Sequence, residues 1–232
     1  MWDENSGTLV SRSTRPSRPD GCSYAQSMLI AIDGPAGAGK STVARAAAEA
    51  LGYTYLDTGA MYRCVALAAR QSGAGAATQV ARKARIELGE RVLLDGRDVT
   101  EAIRTPEISQ AASQVARDPG VRSALVAVQQ ALLEEGDWVA EGRDIALVVA
   151  PGAQVKVFLT AAEAERAQRR ATQTGASAEA VLAEQRERDA RDATGRRSVS
   201  EPAPGAVVID TTGLALDEVV ARIVGLAVEA SA

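Results

Sequence analysis

Two rhythms of apolar and polar positions take turns along this chain. Short, nearly unbroken apolar runs at Met28–Asp33, Tyr53–Leu56, Trp138–Ala140, Val155–Leu159 and Val207–Asp210 have the length of buried strands. Longer stretches with apolar residues three and four apart predict helices over Thr42–Leu51, Ala60–Gln71, Ile108–Val115, Val121–Glu135, Ala161–Thr172, Ala178–Asp192 and Asp217–Glu229. A strand apolar on both faces must be covered on both, and strand–helix alternation achieves that with a parallel sheet. The pattern therefore predicts an α/β fold, a parallel five-stranded sheet flanked by helices. One segment breaks the rhythm. Arg85–Val99, with Ile86-Glu87-Leu88, Arg91–Leu94 and the turn Asp95-Gly96, reads as a small antiparallel insert carried on that core.

Residues 1–27 follow neither rhythm. Ser, Arg, Pro and Gly dominate, with Arg12, Arg15 and Arg18 separated by Pro16 and Pro19, and the segment reads as a disordered N-terminal extension to a domain spanning 28–232. An Arg/Ser-rich transit peptide is the alternative, weakened by Asp3, Glu4 and Asp20. The whole chain, 232 residues with 46% hydrophobic and 24% charged, has room for one sizeable core and no second full domain. A net charge of −4 argues against a nucleic-acid partner, which calls for a basic surplus, while leaving small anions open through local arginines. Cys22 and Cys64 are too few for a disulfide framework, so a reducing, cytoplasmic setting is expected. With no histidine in the chain, histidine-based acid–base or metal chemistry is excluded. No apolar run is long enough to span a bilayer, so no membrane partner is expected.

Gly34-Pro35-Ala36-Gly37-Ala38-Gly39-Lys40-Ser41, followed by Thr42, spells a phosphate-binding loop between the first predicted strand and helix, which is the context that motif requires. The glycines let successive backbone N–H groups turn toward phosphate oxygens and the helix N-terminus adds positive potential. Lys40 supplies a mobile cation, and the Ser41 hydroxyl can ligate Mg²⁺. The chain holds only three lysines, Lys40, Lys83 and Lys156, and one of them stands where the motif demands it. Asp33, just ahead of the loop, can hold Mg²⁺ through water or cap a neighbouring turn. ATP with Mg²⁺ is the expected cofactor pair.

The second predicted strand runs into Leu56-Asp57-Thr58-Gly59-Ala60-Met61-Tyr62-Arg63. Thr58 as a helix cap accounts for the turn but not for Tyr62-Arg63. Further blocks follow in order: Glu101-Ala102-Ile103-Arg104-Thr105, Ala111-Ala112-Ser113-Gln114-Val115-Ala116 with Val121-Arg122, and Glu141-Gly142-Arg143-Asp144-Ile145. Pro151 to Leu159, Glu187-Arg188-Asp189-Ala190-Arg191-Asp192 and Val207-Val208-Ile209-Asp210-Thr211 complete the set. Together they resemble the bacterial cytidylate kinases, P-loop nucleoside-monophosphate kinases, along nearly all of 28–229. The phosphate loop alone is shared by a vast superfamily; the Glu-Gly-Arg-Asp-Ile block with the others is far more specific.

The resemblance implies transfer of the γ-phosphoryl group of Mg-ATP to CMP or dCMP by a cytoplasmic monomer, with an insert at about 84–117 that binds the acceptor and a helical lid at about 161–198. By resemblance Lys40, Arg63, Arg143 and Arg188 are catalytic, and Thr58, Tyr62, Arg63 and Arg143 hold the acceptor. Ser113, Arg122 and Asp144 read its cytosine, and Arg188 and Asp192 contact its sugar and phosphate. For Arg188 and Asp192, spacing alone favours an intrahelical pair on a solvated face. The family pattern has an arginine where this chain has Gly195, so the adjacent Arg196 is the expected substitute. Arg166 and Arg170, one turn apart at the lid's start, can reach ATP or simply be exposed helix arginines. A carboxylate at Asp144 can accept from the exocyclic amine of cytosine and would repel the carbonyl that uracil presents there. The alternatives on the same core are a UMP/AMP-type or shikimate-type kinase, or a P-loop regulator that binds nucleotide without transferring phosphate.

Overall fold

The computed structural model describes residues 27–73, 75–193 and 201–231, with side chains at 173, 174 and 188–193 excepted. In chain order its elements are β1 (Leu29–Asp33), α1 (Lys40–Leu51), β2 (Thr54–Asp57), α2 (Thr58–Ser72), α3 (Ala77–Lys83), β3 (Ile86–Glu87), β4 (Leu93–Leu94) and β5 (Arg97–Asp98). A 3₁₀ turn (Ala102–Arg104) leads to α4 (Pro106–Val115), α5 (Pro119–Leu133), β6 (Trp138–Glu141), a π-turn (Ile145–Val149) and β7 (Val155–Thr160). The chain then continues through α6 (Glu163–Thr174), α7 (Ala178–Ala193), β8 (Val207–Asp210) and α8 (Leu216–Ser231). The extension expected over 1–27 lies outside the described residues except at Ser27, whose hydroxyl accepts from the Gly136 N–H at 3.2 Å. The described backbone falls into two compact units, Asp57–Glu134 and the residues flanking it on both sides.

The flanking unit carries the predicted parallel sheet, in the order β2-β6-β1-β7-β8. Leu29 to Ile32 face Trp138 to Glu141 on one side, and Ile30 to Asp33 face Val155 to Phe158 on the other. Ile30, Ile32, Val139, Val157 and Leu159 are buried against Val43, Ala44 and Ala47 of α1 and Val219 and Ile223 of α8. Small alanines on the inner stripe of α1 let that helix lie close to the sheet. That close approach holds the loop preceding it rigidly at the carboxyl ends of the strands, where α/β sheets bind ligands. Strands β2, β6 and β7 each run one residue beyond their predicted ends, into Asp57, Glu141 and Thr160. Backbone pairing carries them on regardless of side-chain polarity; the Gly142 N–H still reaches Ile32 O at 3.0 Å.

The unit Asp57–Glu134 contains the antiparallel excursion as a three-stranded sheet, β3-β4-β5. Leu94 pairs with Arg97 across the two-residue turn Asp95-Gly96, whose positive φ angles (50° and 77°) are those of a hairpin turn matching strand twist. Helices α2 and α4 pack together, as do α3 and α5. Three helix starts correct the sequence reading. Thr58 is the first residue of α2 rather than its cap, because Asp57 caps it instead, accepting from the Ala60 N–H at 2.8 Å. A carboxylate there also complements the helix dipole, which a hydroxyl does not. Helices α4 and α5 begin two residues before the predicted Ile108 and Val121, at Pro106 and Pro119, since proline suits a helix's first turn. Thr105 and Asp118 cap them. Helix α3 went unread because its stretch buries only Ala81 and so has no apolar period.

Cys64 lies fully buried on α2, and burial pushes its thiol up to about 12. Since the thiolate is the reactive form, Cys64 is expected to resist iodoacetamide at pH 8 in the native protein and to react once the protein is unfolded. Peptide mapping after alkylation checks this.

Candidate active site

Between β1 and α1 the backbone is shaped to leave room for phosphate. Gly34 has φ 149°, and a Cβ there would lie 2.1 Å from the carbonyl oxygen of Leu159 on β7, so no side chain fits. Gly37 and Gly39 are left-handed at φ 77° and 86°. Helix α1 opens at Lys40 with no side-chain cap and no acidic residue in its first turn, so nothing of its own neutralises the positive N-terminus. The Lys40 ammonium arches back over the loop and donates to Pro35 O at 2.8 Å.

The loop is braced from behind. Arg166 of α6, only 6% exposed, donates through a guanidinium N–H to Ala36 O at 2.8 Å. Gln185 of α7, also buried, donates to Arg166 O at 3.3 Å, and its amide nitrogen would be 2.6 Å from a Cβ on Gly37. The sequence suggested ATP as one target for Arg166; the structure gives it the loop carbonyl. Gln185 escaped notice in the sequence, where one glutamine in a charged helix carries no signal.

At the carboxyl ends of β1 and β6 stand two buried carboxylates with different tasks. Asp33 accepts from the Ile145 and Ala146 N–H groups, one per oxygen and both at 2.8 Å, and so anchors the π-turn. This is the capping alternative for Asp33, and burial raises its carboxyl above the usual carboxylate range against the pull of those two hydrogen bonds. Glu141, 4% exposed, faces the loop instead: the Ser41 hydroxyl donates to its Oε1 at 2.6 Å and the Tyr55 hydroxyl donates to the same atom at 3.1 Å. Sequence reasoning missed Glu141. It stands at the head of the Glu141–Ile145 block, but nothing in that block gives its carboxylate a partner. Arg143, two residues on, donates to Gly34 O at 3.3 Å. Asp144 follows it, half-buried, and leads into the π-turn without a side-chain cap bond.

In the unit Asp57–Glu134, Arg63 folds back along α2 onto Asp57 at 3.0 Å, with 23% of its side chain exposed. A Cβ on Gly59 would sit 3.0 Å from that guanidinium, so the glycine makes the fold-back possible. The Arg63 Nε is buried with no hydrogen-bond partner among the described residues. Thr58 and Ser113 are buried, and Tyr62 and Arg122 are half-buried. Arg188 and Asp192 lie on α7 with side chains outside the description, and Arg196 with its neighbour Gly195 falls outside the described residues.

A glycine loop ending in Lys-Ser, set between the central strand of a parallel sheet and the helix behind it, is the phosphate loop of the P-loop nucleotide-binding class. The cytidylate kinase family model matches residues 30–229. A cytidylate kinase from Solibacter usitatus (strain Ellin6076) is 46% identical over 205 residues, covering 83% of this chain and 88% of the relative. One from Carboxydothermus hydrogenoformans is 44% identical over 211 residues, covering 84% and 95%. This chain belongs to the cytidylate kinase family. Among solved structures, an uncharacterized protein from Eubacterium ventriosum ATCC 27560 aligns over 85% of this chain and 96% of its own, with TM-score 0.51 and 12% identity, a likeness of fold. No helix of the described residues is long and apolar enough to cross a membrane.

Proposed function

We propose that this chain transfers the γ-phosphoryl group of ATP to CMP or dCMP, giving ADP and CDP or dCDP, as a cytoplasmic monomer. The observation that carries the reading is the Gly34–Ser41 loop, open to phosphate at an uncapped helix N-terminus, in a chain of the cytidylate kinase family. Phosphoryl transfer between two anions asks the protein for alignment and charge neutralisation rather than covalent help. The loop amides hold the β- and γ-phosphates, and the Lys40 ammonium moves from Pro35 O onto them. Arg143, tethered to Gly34 O, and Arg63, tethered to Asp57, supply guanidinium groups to the phosphate of the acceptor, and Arg188 joins them from the lid. Thr58 and Tyr62 line the acceptor's side, Asp192 and Arg196 its sugar and phosphate, and Ser113, Arg122 and Asp144 select cytosine.

The donor set fits magnesium. The Ser41 hydroxyl donates its hydrogen bond to Glu141 and so keeps its lone pairs for a cation, and a buried carboxylate beside it supplies negative charge. Hard oxygen donors few in number suit Mg²⁺, which keeps most of its shell as water and nucleotide phosphate. When bound, Mg²⁺ would neutralise charge between the β- and γ-phosphates. Asp33, engaged at both oxygens by backbone, would act on this site through the π-turn.

The test is steady-state turnover with CMP, dCMP, UMP, AMP and shikimate in turn at saturating Mg-ATP. The highest kcat/KM is expected with CMP or dCMP, and preference for any other acceptor would contradict the reading.

A further inference from the structure

Tyr55 sits on β2, outside every motif that marks the phosphate loop or the acceptor, yet its hydroxyl donates to the Glu141 carboxylate as the Ser41 hydroxyl does. Both reach the same oxygen, Ser41 at 2.6 Å and Tyr55 at 3.1 Å. The ring is itself held, because the Arg45 guanidinium of α1 lies over it at 4.8 Å from the centroid. These residues belong to three elements: β2 and β6 are neighbours in the sheet, and α1 packs against β6.

A carboxylate buried to 4% exposure needs donors that persist, and Ser41 sits on the exposed first turn of α1 where the nucleotide binds. Tyr55 is the donor carried by a strand of the sheet rather than by that turn. The geometry points to Tyr55 as a positioning residue for the metal–nucleotide site: its hydroxyl fixes the Glu141 carboxylate in the orientation that receives the Ser41 hydrogen bond and leaves the Ser41 oxygen open to the cation. This rests on the assignment of Ser41 and Glu141 to the magnesium side of ATP. Tyr55 touches no reacting atom; it acts through Glu141.

The experiment compares Y55F and E141Q with the parent protein. Removing one hydroxyl leaves the ring and its packing in place, so Y55F is expected to fold, with a melting temperature lowered by only several degrees, the cost of one hydrogen bond to a buried charge. ATP affinity is measured by calorimetry in EDTA and again in Mg²⁺, and Mn²⁺ binding to the protein–ATP complex is followed by electron paramagnetic resonance. Losing a hydrogen bond to a charged group should weaken Mn²⁺ binding in Y55F about tenfold. ATP affinity in EDTA and KM for CMP should stay within about twofold of the parent, the scatter expected where no contact is lost. E141Q should weaken the metal at least as much. If E141Q weakens Mn²⁺ binding and Y55F does not, Tyr55 positions nothing and the proposal falls while the metal assignment stands. If Y55F weakens ATP equally with and without metal, its role is structural and the proposal falls. If E141Q leaves Mn²⁺ binding unchanged, the metal assignment fails first and takes the proposal with it.

Discussion

Lys40→Ala is expected to lower kcat/KM for phosphoryl transfer by about 10³-fold or more, roughly 4 kcal/mol of transition-state stabilisation. In the proposed reaction the ammonium is the charge that the loop delivers to the β- and γ-phosphates, and charge developing there is where a positioned cation acts most strongly. The fold should hardly notice, because Lys40 is half-exposed and its hydrogen bond to Pro35 O is made at the surface of the loop. The glycine geometry that shapes the loop, above all Gly34 against Leu159, does not depend on it. Single-turnover kinetics with the variant, alongside its thermal unfolding, checks both halves. A variant that unfolds early would have lost structure rather than chemistry, and one that turns over normally would remove Lys40 from the ATP site.

Asp144→Asn is expected to lower kcat/KM for CMP by the equivalent of about 1–3 kcal/mol and to narrow the gap to UMP. A carboxylate only accepts, which suits the exocyclic amine of cytosine. An amide can also donate, and so can satisfy the carbonyl that uracil presents. Asp144 precedes the π-turn without capping it, and Asp33 anchors that turn, so the substitution should leave the backbone as it is. ATP affinity should barely change. Kinetics of both proteins with CMP and UMP at saturating Mg-ATP decide the matter. An equal fall for both nucleotides would mean that Asp144 serves to orient Arg143 and that cytosine is read elsewhere.

Much of this was legible in the chain because the features concerned are local. The inner strands β1, β6 and β7 show as apolar runs because burial on both faces leaves no alternation to blur, while the edge strands β2 and β8 show by their apolar residues alone, Val207 and Val208 of β8 being exposed. The phosphate loop shows because glycine, lysine and a hydroxyl at fixed spacing are what its backbone needs. What escaped was set by distant partners. Glu141 gains meaning only when β6 is placed beside β1 and Ser41 comes within 2.6 Å, and a single glutamate at a strand end does not announce that pairing. Gln185 reads as a helix polar residue and Arg166 as one that reaches ATP or lies exposed on its helix, yet both brace the loop at Ala36 and Gly37 from behind. The cap of α2 was misplaced by one residue for a related reason. Thr58 and Asp57 are both good caps, and which one stays outside the helix depends on where β2 stops pairing.

The central claim is that the phosphoryl group leaving ATP arrives on a cytidine monophosphate rather than on water. The most direct measurement is ³¹P nuclear magnetic resonance of the parent protein with Mg-ATP, recorded with and without CMP. The β-phosphorus of CDP is expected to grow in step with that of ADP, one for one, and without CMP the ATP signals are expected to persist. ADP appearing at the same rate whether or not CMP is present, with no CDP signal, would contradict the claim.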